Sequence, residues 1–149
     1  TSFLTACMLG KKFSVITMWN KWNYMYERIL QEEGIVNRCA SIRSINVRPD
    51  AKELLSGKED FVFKKLLDQS IQAIDQDGAD VIIIGSTTMH QSYNFLKENL
   101  KVPVLNPGII AFKTCEMFLD FGITHSKIAY PSPEKIEENL FKDIPDRQF

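Results

Sequence analysis

Gly78-Ala79-Asp80-Val81-Ile82-Ile83-Ile84-Gly85-Ser86-Thr87-Thr88 is the stretch whose reading decides the fold. Val81 to Ile84 is an unbroken β-branched run, the pattern of a strand buried on both faces, as at the centre of a parallel sheet. The segments around it repeat the alternation. Phe13 to Thr17 is a short apolar run after Gly10, and Pro103-Val104-Leu105 is another. Cys39 to Val47 alternates apolar and polar positions, closed by Pro49-Asp50.

Between these runs the period changes to that of helices. Thr1 to Leu9 places Phe3, Leu4, Cys7 and Met8 on one face. Asn20 to Gln31 carries Trp22, Met25, Tyr26, Ile29 and Leu30, and Gly34 ends it. Phe61 to Ile74 forms a stripe of Phe61, Leu66, Leu67, Ile71 and Ile74. Ser86 to Leu100 reads as a loop and a helix beginning near Met89. Pro107 opens a helix running to Phe121, with Gly122 as its stop. Lys127 to Tyr130 is expected as a last strand and Glu134 to Phe141 as a short helix. Strands alternating with helices imply an α/β layered fold around a mostly parallel sheet.

Composition bounds the function. The chain has 149 residues, 18 basic against 19 acidic, a net charge of −1 and 44% apolar residues. That is ordinary globular composition, with no basic footprint for nucleic acid. No apolar run has the length of a membrane span, and the first residues do not read as a signal peptide. Cys7, Cys39 and Cys115 are widely spaced without a C-x-x-C pair, which fits a reducing cytoplasm and argues against a zinc site. Neither G-x-x-x-x-G-K nor G-x-G-x-x-G occurs, so no cofactor is expected.

In an open parallel sheet, ligands bind beyond the carboxyl ends of the strands. Three strands end there in small polar groups: Thr17 followed by Met18 and Trp19, Gly85-Ser86-Thr87-Thr88, and Asn106-Pro107-Gly108. The Gly-Ser-Thr-Thr turn reads either as an anion or carbonyl site or as a plain helix cap. His90, in the first turn of a helix, and His125, in a polar turn, read as solvated. Cys39 and Cys115 read as buried, inert thiols. Trp19 reads as a pocket wall and Trp22 as core. Glu32-Glu33 and the cluster Glu134, Glu137, Glu138 read as solvated helix faces.

Phe3-x-Thr5 recurs as Phe112-x-Thr114, each followed by a cysteine and a methionine. Such a match is common by chance, and it is also what a duplicated, two-lobed protein would leave. Thr1 is not an initiator methionine and already reads as helix, so a piece of a longer protein is expected.

Gly78 through Met89 resembles the G-A-D-x-[IV]-[IV]-x-G-C stretch of the aspartate/glutamate/hydantoin racemase superfamily. Other segments match in order. Met8 to Thr17 is similar to the opening of that family's second lobe, and Arg38-Cys39-Ala40-Ser41-Ile42-Arg43 to a segment of hydantoin racemases. Val102 to Asn106 resembles its V-P-V-[IL]-[DN] strand, and Gly122 to Tyr130 its closing segment. The resemblance implies a flavodoxin-like parallel α/β lobe with helices on both faces, one lobe of a pseudo-symmetric two-lobed fold. It places the second lobe at residues 1–107. Residues 108–149 would then be a crossing helix, strand and helix returning toward an N-terminal lobe that this sequence lacks.

The same resemblance implies a cofactor-independent isomerase that racemises amino acids or hydantoins by proton transfer beside a carbonyl. It implies a homo-oligomer binding a small carboxylate or hydantoin-like ligand through Thr17, Trp19, Ser86, Thr87, Thr88 and Asn106. The departure is at Ser86, which occupies the position of the family's second catalytic cysteine. A hydroxyl is far less acidic than a thiol and needs a base beside it. The alternative is therefore a catalytically silent binding homologue.

Overall fold

The computed structural model describes residues 1–48 and 59–132, with the side chains of residues 59 and 60 undescribed. The chain divides into two compact units, Thr1–Glu116 and Met117–Phe149.

Four strands form one sheet in the first unit: β1 (Phe13–Thr17), β2 (Cys39–Ser44), β3 (Val81–Ile84) and β4 (Val104–Leu105). Their order is β2-β1-β3-β4 and every pair is parallel. β1 and β3 occupy the centre, in register from Phe13 opposite Val81 to Ile16 opposite Ile84. Both are buried along their whole length, which is why their sequences show no polar alternation.

Successive side chains leave a strand on opposite faces, so each central strand feeds two cores. Phe13, Val15, Val81, Ile83 and Leu105 pack with Ala6, Tyr26 and Leu30. These last belong to α1 (Ser2–Leu9) and α2 (Asn23–Glu32), and Ile110 of α5 (Pro107–Asp120) joins them. Ile16, Ile82, Ile84 and Val104 pack on the other face with Val62, Leu66, Ala73 and Leu96. Those come from α3 (Glu59–Asp75) and α4 (Ser92–Asn99). The result is a parallel α/β sheet with helices on both faces.

Several local expectations change. The stripe on α3 is rotated: Val62, Leu66, Ser70 and Ala73 are buried, whereas Phe61 and Ile71 are exposed. Ser70 tolerates burial because its hydroxyl donates to the Leu66 carbonyl at 2.7 Å. On α1, Phe3 and Cys7 meet the core while Leu4 and Met8 are exposed. Asn20–Trp22 is a separate 3-10 turn before α2.

β2 stops at Ser44, where Asn46 turns into the left-handed region (φ 53°) and donates its N–H to Ser44 Oγ at 3.0 Å. The helix expected near Met89 is a 3-10 turn, Thr87–Met89, and α4 begins only at Ser92.

Within the second unit, α5 ends in two backbone bonds around left-handed Gly122: Gly122 N–H to Leu119 at 3.0 Å and Ile123 N–H to Phe118 at 2.8 Å. The strand expected over Lys127–Tyr130 is a turn. Ser126 takes its amides instead, Ala129 N–H on the hydroxyl at 3.2 Å and Tyr130 N–H on the carbonyl at 2.9 Å. The helix expected over Glu134–Phe141 lies outside the described residues.

Candidate functional site

The carboxyl ends of β1, β3 and β4 form one rim, because all the strands point the same way and adjoin in that order. Three of its positions are set by tight local geometry. At Gly85 an added Cβ would lie 2.9 Å from the Ile16 carbonyl and 3.1 Å from Thr17 Cβ. Any side chain there would force β1 and β3 apart.

Tyr26 ties the same corner. Its hydroxyl donates to the Gly85 carbonyl and lies 3.3 Å from Thr17 Oγ1. Burial pushes the Tyr26 phenol above its ordinary value, partly offset by the Thr17 hydrogen bond. Thr17 itself is fully buried, so it braces the rim from beneath. Sequence reading placed Tyr26 in an apolar stripe. The available signal was that a buried phenol must find a partner.

Ser86 follows with extended backbone and caps its own turn. Its Oγ accepts from Thr88 N–H at 3.3 Å and shares a hydrogen bond with Thr88 Oγ1 at 2.8 Å. Thr87 and Thr88 are exposed. His90 Nδ1 lies 3.1 Å from the Thr87 carbonyl; a carbonyl only accepts, so that nitrogen carries the proton and is occupied. Among the described residues no histidine, lysine or carboxylate hydrogen-bonds Ser86.

Asn106 is buried and caps α5, its Oδ1 accepting from Gly108 N–H at 3.0 Å and Ile109 N–H at 3.3 Å. A Cβ on Gly108 would stand 3.6 Å from Thr87 Cγ2, so the turns after β3 and β4 lie side by side. Trp19 is half-buried just past β1, edge-on to Trp22 at 6.4 Å, with Lys21 Nζ 4.9 Å above its ring. Ser86, Thr87, Thr88 and Asn106 thus come together, and Thr17 supports them. Trp19 engages Trp22 and Lys21.

The cysteines separate. Cys39 is half-buried, and burial pushes its thiol up to about 11, opposed by a backbone hydrogen bond at Ser41 and by nearby Lys12. Cys115 is exposed, against expectation, because α5 keeps none of its residues buried. Among the described residues no cluster of three His, Cys, Asp or Glu side chains is poised to hold a metal. No described helix is long and apolar enough to cross a membrane.

Arg38 and Arg43 are scaffold. Arg38 donates to the carbonyls of Cys7, Gly10 and Lys11 at 2.9, 2.6 and 2.8 Å, holding the end of α1. Arg43 pairs with Asp77 at 2.5 and 2.9 Å and reaches Gln72 at 2.9 Å. That pairing holds the Asp77 carboxyl below its usual range.

Fold and rim together define a parallel α/β lobe whose small polar groups converge where its central strands end. The Asp/Glu/hydantoin racemase family model matches residues 1–115, and the chain belongs to that family. A hydantoin racemase of Pseudomonas sp. (strain NS671) is 29% identical over 140 residues, covering 92% of this chain and 54% of the relative. One from Rhizobium meliloti is 28% identical over 130 residues, covering 85% and 52%.

Among solved structures, allantoin racemase from Klebsiella pneumoniae superposes with a TM-score of 0.81 at 26% identity, over 91% of this chain and 54% of that one. Allantoin racemase from Pseudomonas fluorescens gives 0.75 at 29%, over 90% and 57%. The chain spans about half the length of the relatives it matches.

Proposed function

We propose that this protein is a cofactor-independent racemase-type protein acting in the cytoplasm as a homo-oligomer. Its reaction is proton transfer at a carbon beside a carbonyl, on a hydantoin, allantoin-like ureide or amino acid. Racemases of hydantoin and of allantoin among its relatives support that substrate class.

The carrying observation is the convergence of Ser86, Thr87 and Thr88 with the Asn106–Gly108 turn at the ends of the two neighbouring strands β3 and β4. Hydroxyls and amides gathered there suit a substrate carboxylate or carbonyl oxygen, and they gain strength as that oxygen becomes an enolate. Ser86 serves as a hydrogen-bond donor. Its hydroxyl is engaged by Thr88 and, among the described residues, no base hydrogen-bonds it, so proton abstraction falls to another group. Residues 1–107 act as the second lobe, with residues from 108 onward returning toward a first.

The engaged Ser86 hydroxyl also favours a second reading, a homologue that binds the same ligands without turning them over. Proton–deuterium exchange separates the two. Incubation with a 5-substituted hydantoin, allantoin and aspartate in deuterium oxide, followed by NMR, should show loss of the α-proton signal for at least one. Calorimetric binding without exchange would establish the silent homologue. Neither binding nor exchange would remove the rim as a ligand site.

A further inference from the structure

The peptide that joins Gly85 to Ser86 has its two polar groups on opposite sides of β3. Amides of an extended strand point alternately toward its two neighbours. Ile82 N–H donates on the β4 side, to the Pro103 carbonyl at 2.9 Å, and Gly85 N–H on the β1 side, to the Ile16 carbonyl at 2.8 Å. Ser86 is still extended, with φ −149° and ψ 144°, so its N–H faces the β4 side again. There the ladder has run out, because β4 ends at Leu105 and Pro107 already opens α5. Among the described residues nothing accepts the Ser86 N–H, which is left in the gap beside the Asn106–Gly108 turn.

The carbonyl of the same peptide is held from the other side. A trans peptide is planar, so fixing its C=O also fixes the opposed N–H. The pairing of β1 with β3 stops at Ile16 opposite Ile84, and Tyr26 of α2 donates its hydroxyl to the Gly85 carbonyl just beyond. That uses the one proton of the phenol, so Thr17 Oγ1, 3.3 Å away, donates to the Tyr26 oxygen. Tyr26 is held in turn by packing, buried among Phe13, Val15 and Ile83, with its ring tilted against Phe3 at 6.5 Å. The approach needs glycine at position 85, since a Cβ there would lie 3.0 Å from the Tyr26 hydroxyl. A phenylalanine would fill the same space, and a buried hydroxyl is costly unless it is used.

We propose that Tyr26 is a positioning residue of the rim. It holds the Gly85–Ser86 peptide so that the Ser86 N–H is presented, already aimed, to the substrate oxygen that gains charge as the neighbouring proton leaves. This role rests on the functional reading above and deepens it by naming what aims one of the donors. A donor fixed beforehand costs no reorganisation when the charge develops. The hydrogen bond on the carbonyl side also polarises the peptide and strengthens its N–H. Tyr26 thereby acts on the reaction through the Gly85–Ser86 peptide.

Three variants of the full chain test this. Tyr26→Phe removes only the hydroxyl, Tyr26→Leu removes the ring as well, and Tyr24→Phe makes the same change on the exposed side of α2, where Tyr24 is 65% exposed. Without any ligand, NMR relaxation of the backbone amides reads the peptide directly. The Ser86 amide should be rigid in the unmodified chain, with an order parameter near ~0.85, and fall toward ~0.6 in Tyr26→Phe. The amides of Ile82 and Ile83 should stay rigid in both.

With a 5-substituted hydantoin or allantoin in deuterium oxide, Tyr26→Phe should lower kcat for α-proton exchange by on the order of tenfold with little change in KM. A misaimed donor keeps part of the roughly 10²–10³-fold effect of one deleted outright. Tyr26→Leu should lower kcat no further per folded molecule, and Tyr24→Phe should match the unmodified chain. A packing role alone gives the opposite pattern, with order parameter and kcat kept in Tyr26→Phe and only Tyr26→Leu impaired. That pattern, or a loss confined to KM, overturns the role of Tyr26 and leaves the functional reading standing. Neither binding nor exchange by the unmodified chain overturns that reading and the role with it, whatever the relaxation shows.

Discussion

Replacing Ser86 by cysteine puts a thiol where the site's chemistry is most exposed to test. The new Sγ inherits the Thr88 N–H, now 3.3 Å from the serine oxygen, and the Thr88 hydroxyl at 2.8 Å. Hydrogen bonds to a charged group contribute roughly 1.5–3 kcal/mol. The longer bond is weak, so about 2 kcal/mol in favour of the thiolate is a fair sum for the pair. At 1.36 kcal/mol per pKa unit that lowers a thiol from about 8.5 to about 7. The thiolate fraction at neutral pH then rises roughly fifteen-fold, but a less basic thiolate is also a poorer nucleophile, with a Brønsted slope of about 0.4–0.5. The net gain in alkylation rate at pH 7 is only about three-fold. The midpoint of the rate–pH curve is the cleaner readout, moving down by about 1.5 units.

Iodoacetamide labelling followed by mass spectrometry gives that curve. The background must carry Cys115→Ser, because Cys115 is exposed and would react beside the new thiol. Cys39, with its thiol pushed up to about 11, stays silent at neutral pH. A working base at this position should also raise α-proton exchange by about 10²–10⁴-fold. A folded variant whose thiol titrates at or above the free-cysteine value, with exchange unchanged, would refute the reasoning and leave Ser86 as a turn cap alone.

Gly85→Ala should destabilise by about 1–3 kcal/mol, since its Cβ would meet the Ile16 carbonyl at 2.9 Å and cannot be relieved by rotating a side chain; a thermal melt should fall by several degrees. Asp77→Asn tests the Arg43 pair through pH. The folded-state pKa of Asp77 lies below its unfolded value, held there by Arg43, so its stabilisation is fully present above about pH 4 and is lost as pH falls through the folded pKa. Urea melts should therefore separate the two proteins by about 1 kcal/mol at pH 7, and the gap should close toward pH 2.

The central strands were legible because burial on both faces leaves a short β-branched apolar run between turn signals. Val81 to Ile84 has no polar position to confuse it with a loop, and Phe13 to Thr17 is bounded by turns on both sides. Helix faces were less legible. On α3 the contact face uses Ser70 and Ala73, small residues that let the helix approach the sheet, and a hydrophobicity pattern passes over them in favour of Phe61 and Ile71. Cys115 and Met8 were misplaced for a related reason. An apolar helix face in a sequence says that something covers it, not that the cover belongs to the same unit. Lys127 to Tyr130 failed through a competing local bond, as Ser126 claims the amides a strand would have offered to a neighbour. At the rim, Ser86, Thr87 and Asn106 were legible from the rule about strand ends. Tyr26 was not, because its role depends on reaching a carbonyl 59 residues away in the chain.

The same geometry explains why the stretch from Gly78 to Thr88 carries a family pattern, and why Ser86, where that resemblance implies a catalytic cysteine, stands apart from it. Gly78 has φ 76° and makes the turn into β3. Asp80 clamps the start of β1, accepting from Lys11 N–H at 2.8 Å and Lys12 N–H at 3.0 Å. Gly10 must lack a side chain, since a Cβ there would strike Asp80. Val81 to Ile84 fill both cores, and Gly85 lets β1 and β3 meet. Every one of these positions is fixed by packing or backbone conformation, whatever reaction the rim performs. Ser86 is different, for its hydroxyl bonds only within its own turn, and neither core nor sheet depends on it. A serine and a cysteine are thus nearly equivalent to the scaffold and far from equivalent as acids, with only the thiol able to ionise near neutral pH. The motif measures the scaffold, and on the proposed reading the chemistry turns on Ser86, a position that the scaffold leaves free.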